Sequence, residues 1–251
     1  MNAQSINIQR FYAKLEQMLR REVEDSFPHD WHEDYITRRI LAEYRKQFSC
    51  VEMIDVFSAP IKIESASYKL SGKNETNFGD IAFIVRIHYP DKNLEGVAFL
   101  EAKKKNAIKG SFDAIRDKQF KTIITHAPRS LLLLYDHQGI HQYFPFLSES
   151  NFFLFEQYTY AAVIPINLVT SINEKNNNLY RFSIPLSYQI LFRYFRGLDL
   201  EFDKRALDIA KGYDRQVGTP KYLINVSVSY DEVGEANFTE VNRDIFIPID
   251  D

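Results

Sequence analysis

The N-terminal stretch alternates with a helical period. Over about Ile6 to Val23, apolar residues recur at Ile8, Phe11, Tyr12, Leu15, Met18 and Leu19, the spacing of an amphipathic helix. Pro28 predicts its end. A second helix is predicted to start after Asp30 as N-cap, with Glu33 and Asp34 in its first turn, burying Ile36, Ile40, Tyr44 and Phe48 at steps of four.

The period then changes to two. Val56 to Leu70, Phe78 to Tyr89 and Val97 to Ala102 are rich in Ile, Val, Phe and Ala and are bounded by Gly, Asn, Pro or Asp, which predicts three consecutive strands in a meander. Ser111 to Thr125 returns to helical spacing, with Phe112, Ile115 and Ile123 on one side, Ser111 as a cap and Pro128 beyond its end. Arg129 to Tyr135 is short and apolar on both faces, the pattern of a central buried strand. Ile140 to Phe144 reads as a further strand after a turn at Gly139. Helix, three strands, helix and two strands together predict an α/β fold with helices packed on one sheet.

The remainder is less regular. Tyr160 to Ile172 and Tyr222 to Tyr230 read as extended, and Ser187 to Phe195 and Asp203 to Lys211 as helical. The expected organisation is a core with N-terminal helices over residues 1–150 and a C-terminal α+β extension over residues 151–251, packed on the core for recognition, oligomerisation or partner docking.

Composition narrows the class. The chain has 251 residues, 45% hydrophobic and 26% charged, with 9 Gly and 9 Pro, which excludes disordered and collagen-like chains. Cys50 is the only cysteine, so neither an intrachain disulfide nor a paired-cysteine zinc site can form. Apolar runs such as Leu131 to Tyr135 are far too short to span a bilayer, and the N-terminus lacks the unbroken apolar run of a secretory signal. A cytoplasmic protein without a membrane partner is expected by elimination.

The formal charge of −3 offers no whole-chain attraction to nucleic acid. Locally the balance reverses: Glu101 to Lys121 carries seven cations against three anions, a patch that can meet phosphate.

Five positions place polar groups on apolar faces or at the start of an apolar strand. Glu43 lies seven residues after Ile36 and three after Ile40, which predicts an inward carboxylate. Gln119 repeats the pattern, seven after Phe112 and four before Ile123. Val97, Phe99, Glu101 and Lys103 share one strand face, while Ala98, Leu100 and Ala102 take the other. Asp80 opens an otherwise apolar strand. If those two strands are neighbours, Asp80 and Glu101 converge on a divalent cation with Lys103 beside them. Oxygen ligands without Cys or His select Mg²⁺ or Mn²⁺.

Asp80 followed by Glu101-Ala102-Lys103 (NFGD…FLEAKKK), after an acidic helix and before a helix with an inward Gln, resembles the PD-(D/E)XK nuclease superfamily. The resemblance covers about Asp30 to Phe146. It implies a restriction-endonuclease-like mixed central sheet flanked by helices, with Asp80 and Glu101 as metal ligands and Lys103 positioning or activating the attacking water. It implies Glu43 as the helical glutamate, holding a second ion or a metal-bound water, and Gln119 as the polar residue of the following helix. Gly79 departs from the pattern, standing where the motif has proline.

The function so implied is a Mg²⁺-dependent endonuclease acting on DNA, in prokaryotic restriction or anti-phage defence. Lys104, Lys105, Lys109 and Lys121 would neutralise neighbouring phosphates. An RNA-directed nuclease and a catalytically inactive or partner-activated module that binds nucleic acid or serves as a scaffold are the alternatives. No G-x-x-x-x-G-K-[ST] loop is present, so the partners expected besides nucleic acid are a second copy of the chain or a separate ATPase or sensor subunit.

Overall fold

In the computed structural model of the chain, residues 6–54, 59–71, 79–112, 117–147, 152–214, 218–230 and 238–249 are described. Strand β1 (Ile6–Asn7) leads into helices α1 (Ile8–Asp25) and α2 (Glu33–Phe48). Strands β2 (Cys50–Ile54), β3 (Pro60–Leu70), β4 (Ile81–His88) and β5 (Asn93–Lys104) follow. Helix α3 (Asp117–His126) precedes the long strands β6 (Leu131–Leu147) and β7 (Phe152–Pro165), then α4 (Ile166–Ile172). The chain continues through β8 (Ile184–Pro185), the short turn α5 (Leu186–Tyr188), α6 (Lys204–Lys211), β9 (Tyr222–Tyr230) and β10 (Phe246–Pro248). The order of strands across the one mixed sheet is β1-β2-β3-β9-β4-β5-β6-β7-β8, with β10 also paired to β3.

Helices cover both faces of this sheet, as the apolar pattern requires. On one face Ile81, Phe83, Val85 and Ile87 of β4, Ala98, Leu100 and Ala102 of β5, and Ile224, Val226 and Val228 of β9 form one core with Phe11, Leu15 and Val23 of α1 and Ile36, Ile40, Tyr44 and Phe48 of α2. On the other, Val97 and Phe99 pack with Ala206, Ile209 and Ala210 of α6. Beside them Leu132 and Leu134 of β6 lie under Phe120 and Ile123 of α3 and Val169 of α4. The split of β5 into two faces follows the predicted alternation, and Leu131 to Tyr135 are buried throughout.

The expected meander does not form. β9 lies between β3 and β4, antiparallel to the first and parallel to the second. Its sequence, YLINVSVSY, alternates apolar and polar residues as a half-exposed strand would, yet Tyr222 to Ser229 are all buried. Its polar side faces a second covered layer rather than water, and Asn225 Nδ2 there donates to Thr239 O at 2.6 Å. The boundary expected at residue 150 therefore does not divide the sheet: β6 and β7 pair across it, and β9 sits at the centre.

Smaller corrections concern chain ends. The predicted strands at Arg129 to Tyr135 and Ile140 to Phe144 are one strand, with the pairing irregularity between Tyr135 and Ile140 and Gly139 at φ +80° inside it. His32, not Asp30, is the N-cap of α2. Cys50 is exposed at the start of β2. Tyr160 to Ile172 divides into strand and helix at Pro165. Within the predicted helix from Ser111, residues 113–116, Ile115 among them, lie outside those described, as do the starts of the strands predicted from Val56 and Phe78. No helix among the described residues is long and apolar enough to cross a membrane.

A central β9 ties the C-terminal residues to the stability of the whole sheet. Ile224→Ala, at a fully buried position, is expected to cost about 2–5 kcal/mol and to lower one transition seen alike by far-UV circular dichroism and by Trp31 fluorescence. Two separate transitions would mean that the C-terminal segment unfolds on its own.

Candidate active site

Antiparallel pairing of β4 with β5 sets Ile81 opposite Leu100, and Asp80 N–H donates to Leu100 O at 2.9 Å. This brings Asp80 beside Glu101. Its carboxylate is held in turn, since Asp80 Oδ2 accepts from Ala102 N–H at 2.8 Å. On the other flank Asp80 O accepts from Tyr222 N–H at 2.8 Å, so β9 completes the support. The preceding Gly79 has φ +64°. Proline, with φ locked near about −65°, cannot adopt that conformation.

Glu101 and Lys103 leave the same face of β5 and are both buried. Lys103 Nζ donates to Glu101 Oε1 and, at 2.9 Å, to Ala102 O. Gln119, on the first turn of α3, donates from Nε2 to the same Glu101 Oε1 at 2.8 Å. Glu101 Oε2 is buried and accepts no hydrogen bond among the described residues. The structure thus brings together Asp80, Glu101, Lys103 and Gln119, four of the five residues expected at the centre.

The fifth, Glu43, lies elsewhere. It accepts from Arg21 at 2.9 Å and Gln47 at 2.6 Å and lies 3.5 Å from Lys46, at the rim between α1 and α2. At 100° per residue, the buried stripe of α2, once Thr37 and Leu41 are included, centres about 70° round from Ile36. Glu43 falls at about −20°, on the margin. Glu33 falls at about 60°, in the middle of the stripe but ahead of its first apolar residue, where α2 overhangs the end of β5. Glu33 Oε2 is 3.7 Å from Lys103 Nζ, and Glu33 Oε1 accepts from Lys104 N–H at 3.1 Å. The sequence signal for Glu33 was present: it stands three, seven and eleven residues before Ile36, Ile40 and Tyr44.

Lys105 also differs from expectation. It is buried, with Nζ 2.8 Å from Asp136 Oδ2 and 3.2 Å from Gln138 Oε1, while Tyr180 Oη donates to the same Asp136 Oδ2 at 2.6 Å. An internal carboxylate needs that cation, so Lys105 is a structural partner rather than a phosphate contact. Lys104 is half-buried, and Lys109 and Lys121 are exposed. Missed altogether was the β9 side, where Asp34 accepts from Tyr222 Oη and pairs with Lys221 Nζ, each at 2.7 Å.

Charge is unbalanced at this point. Three carboxylates, Asp80, Glu101 and Glu33, share the Lys103 ammonium. Burial, then the neighbouring Asp80, pushes Glu101 up to about 7, and burial likewise raises Asp80 despite Lys103 and the Ala102 amide. Burial pulls Lys103 down, but the three carboxylates outweigh it and hold the amine above its ordinary value, so it stays charged.

No trio of His, Cys, Asp or Glu among the described residues is gathered in ready metal-ligating geometry. What the site offers is one or two carboxylates and an unpartnered oxygen, Glu101 Oε2. That donor set fits Mg²⁺, which binds through a few carboxylates with water and substrate phosphate rather than in an all-protein cage. No protein-family model matches the sequence, and no curated protein or solved structure matches it.

The raised Glu101 carboxyl gives a pH signature in the protein kept free of divalent cations by a chelator. The folded state holds this proton from the ordinary 4.5 up to about 7 while the unfolded chain releases it. The stabilisation is therefore fully present below about pH 4.5 and is lost as pH rises through about 7. Glu101→Gln is expected to flatten that part of a Tm-against-pH profile and raise Tm at alkaline pH by several degrees. Superimposable profiles would show that the carboxylate carries no penalty.

Proposed function

We propose that the chain is a metal-dependent nuclease that hydrolyses DNA phosphodiester bonds, with Asp80 and Glu101 holding Mg²⁺ or Mn²⁺. The observation that carries this is the buried meeting of Asp80, Glu101 and Lys103 with Gln119, in an excess of negative charge and with one carboxylate oxygen left without a partner. A buried carboxylate so placed either takes up a proton or binds a cation. The mixed sheet flanked by helices supports a restriction-endonuclease-like core within the larger sheet. Exposed Lys109, Lys118 and Lys121, with half-buried Lys104, support a phosphate-bearing polymer as substrate.

The residues divide the work. Gln119 and Lys103 both hold Glu101 Oε1, which fixes the carboxylate and leaves Oε2 available to a cation. The Ala102 amide orients Asp80 in the same way. A divalent cation held there supplies Lewis-acid stabilisation of the charge that develops on the phosphoryl oxygens. Lys103, kept charged by its carboxylates, orients the attacking water as a hydrogen-bond donor and stabilises the negative charge of in-line displacement. Glu33 holds the Lys103 ammonium from the helix side.

Cleavage of supercoiled plasmid, linear duplex, single-stranded DNA and RNA, each with Mg²⁺ or Mn²⁺, tests this. Metal-dependent cutting of DNA is expected, reduced at least about a hundredfold by Glu101→Ala and by Lys103→Ala, with DNA binding retained in Lys103→Ala. Lys109→Ala should weaken binding and reduce the salt slope by about one. Cutting of RNA alone would reassign the substrate. Absence of cutting, with no difference in Mg²⁺ binding heat between wild type and Asp80→Ala, would reject the nuclease.

A further inference from the structure

The strand bearing Glu101 and Lys103 runs directly into a tight loop, Asn106 to Gly110, before the chain returns toward α3. Its base is clamped: Asn106 N–H donates to Ser111 O at 2.8 Å and Gly110 N–H to Asn106 O at 2.9 Å. Within it, Asn106 Oδ1 accepts from the amides of Ile108 and Lys109 at 2.9 and 3.0 Å, an Asx-type turn. Gly110 closes the loop at φ +67°, a conformation that favours glycine. Both flanks are anchored in the core. Trp31 Nε1 donates to Lys105 O at 2.8 Å, and Phe112, wholly buried, donates its amide to Lys175 O at 2.7 Å.

At the tip of this ordered loop stands an isoleucine. Ile108 is 96% exposed, whereas the other exposed large hydrophobic residues range from 36% to 50% and so lie partly against the surface. Its exposure gains the fold nothing, because an aliphatic side chain in water forgoes all of its burial energy. Around it the chain runs from Lys103 to Ser111 without an acidic residue; Lys103 and Lys105 are buried against carboxylates, which leaves half-buried Lys104 and exposed Lys109 as the cations beside the tip, and exposed Lys118 and Lys121 follow on α3. An apolar tip set among cations matches the side chains that enter a duplex between base steps and unstack them. Reach agrees with this role. Ile108 stands five positions after Lys103, so their Cα atoms are at most about 18 Å apart, or about five base steps of 3.4 Å.

We propose that Ile108 is a wedge that enters stacked duplex DNA beside the phosphate to be cut, while Lys104 and Lys109 contact flanking phosphates. This rests on the nuclease reading above and narrows its substrate to a duplex kinked near the site. Pyrimidine–purine steps, which unstack most easily, are the preferred points of entry.

The test uses the full chain with duplexes carrying 2-aminopurine at successive positions, bound in Ca²⁺ to follow unstacking and in Mg²⁺ to follow cutting. Wild type should raise the fluorescence severalfold at one step and cut within about five base pairs of it. Ile108→Ser should abolish the rise and lower kcat/KM on duplex about 10- to 100-fold, with Mg²⁺ binding heat within twofold and Tm unchanged. Ile108→Leu should restore the signal. If wild type cuts duplex and Ile108→Ser cuts it equally well with the same fluorescence, the wedge is overturned, the nuclease stands, and Ile108 is a protein contact. If wild type neither binds nor cuts any DNA, the nuclease reading falls and the wedge with it.

Discussion

The ammonium of Lys103 is the point on which the site is assembled. It reaches Glu101 on its own strand, lies 3.7 Å from Glu33 at the start of α2, and exerts a favourable field on Asp80 at the start of β4. Without it, the Asp80 and Glu101 carboxylates, both desolvated by burial, would stand beside Glu33 with no cation between them, and those two would take up protons or force the elements apart. One cation does not neutralise three anions, and the residue of negative charge shows in the raised Glu101 and Asp80 carboxyls. The same imbalance is the ground on which a divalent ion is proposed there. Structural economy and proposed chemistry thus arise from a single electrostatic deficit.

The sheet makes that deficit tolerable. β5 spends its middle on apolar packing, with Leu100 against α1 and α2 and Phe99 against α6, and Glu101 and Lys103 come where Gln119 of α3 reaches the strand. Paired beside it, Leu132 and Leu134 of β6 continue the apolar layer opposite Glu101 and Lys103. Rigid neighbours therefore surround the charges and hold them at fixed spacing, which is what preorganised electrostatics demand. β9 contributes from the far side through the Tyr222 amide to Asp80. The last third of the chain is in this way part of the site's foundation.

A second ion pair shows the contrast between structural and chemical charge. Lys105 and Asp136 meet one to one, with Gln138 and Tyr180 completing their hydrogen bonds. Both Asp136 oxygens accept hydrogen bonds, Oδ2 from Lys105 and Tyr180 and Oδ1 from the Gln138 amide. Two residues earlier, Lys103 faces an excess of carboxylates and a buried oxygen with no donor. The loop that follows is ordered by Asn106 and Gly110 yet presents Ile108 to solvent, the contrast from which its role as a wedge is proposed.

Much of this was legible along the chain. Period-two alternation divided β5 correctly into two faces, the apolar run at Leu131 to Tyr135 marked a buried strand, and the spacing of Gln119 placed it toward the sheet, because each depends only on local repeat geometry. The pairing of Asp80 with Glu101 followed from adjacent strands joined by a short connection. Tertiary structure alone decided the rest. Glu33 rather than Glu43 reaches the site because helix phase depends on the whole buried stripe, Thr37 and Leu41 included, and on where α2 overhangs β5. Lys105 turned inward because Asp136, distant in sequence, required a cation. β9 reached the centre because its serines and Asn225 face a covered layer, and no local pattern separates a polar face met by protein from one met by water.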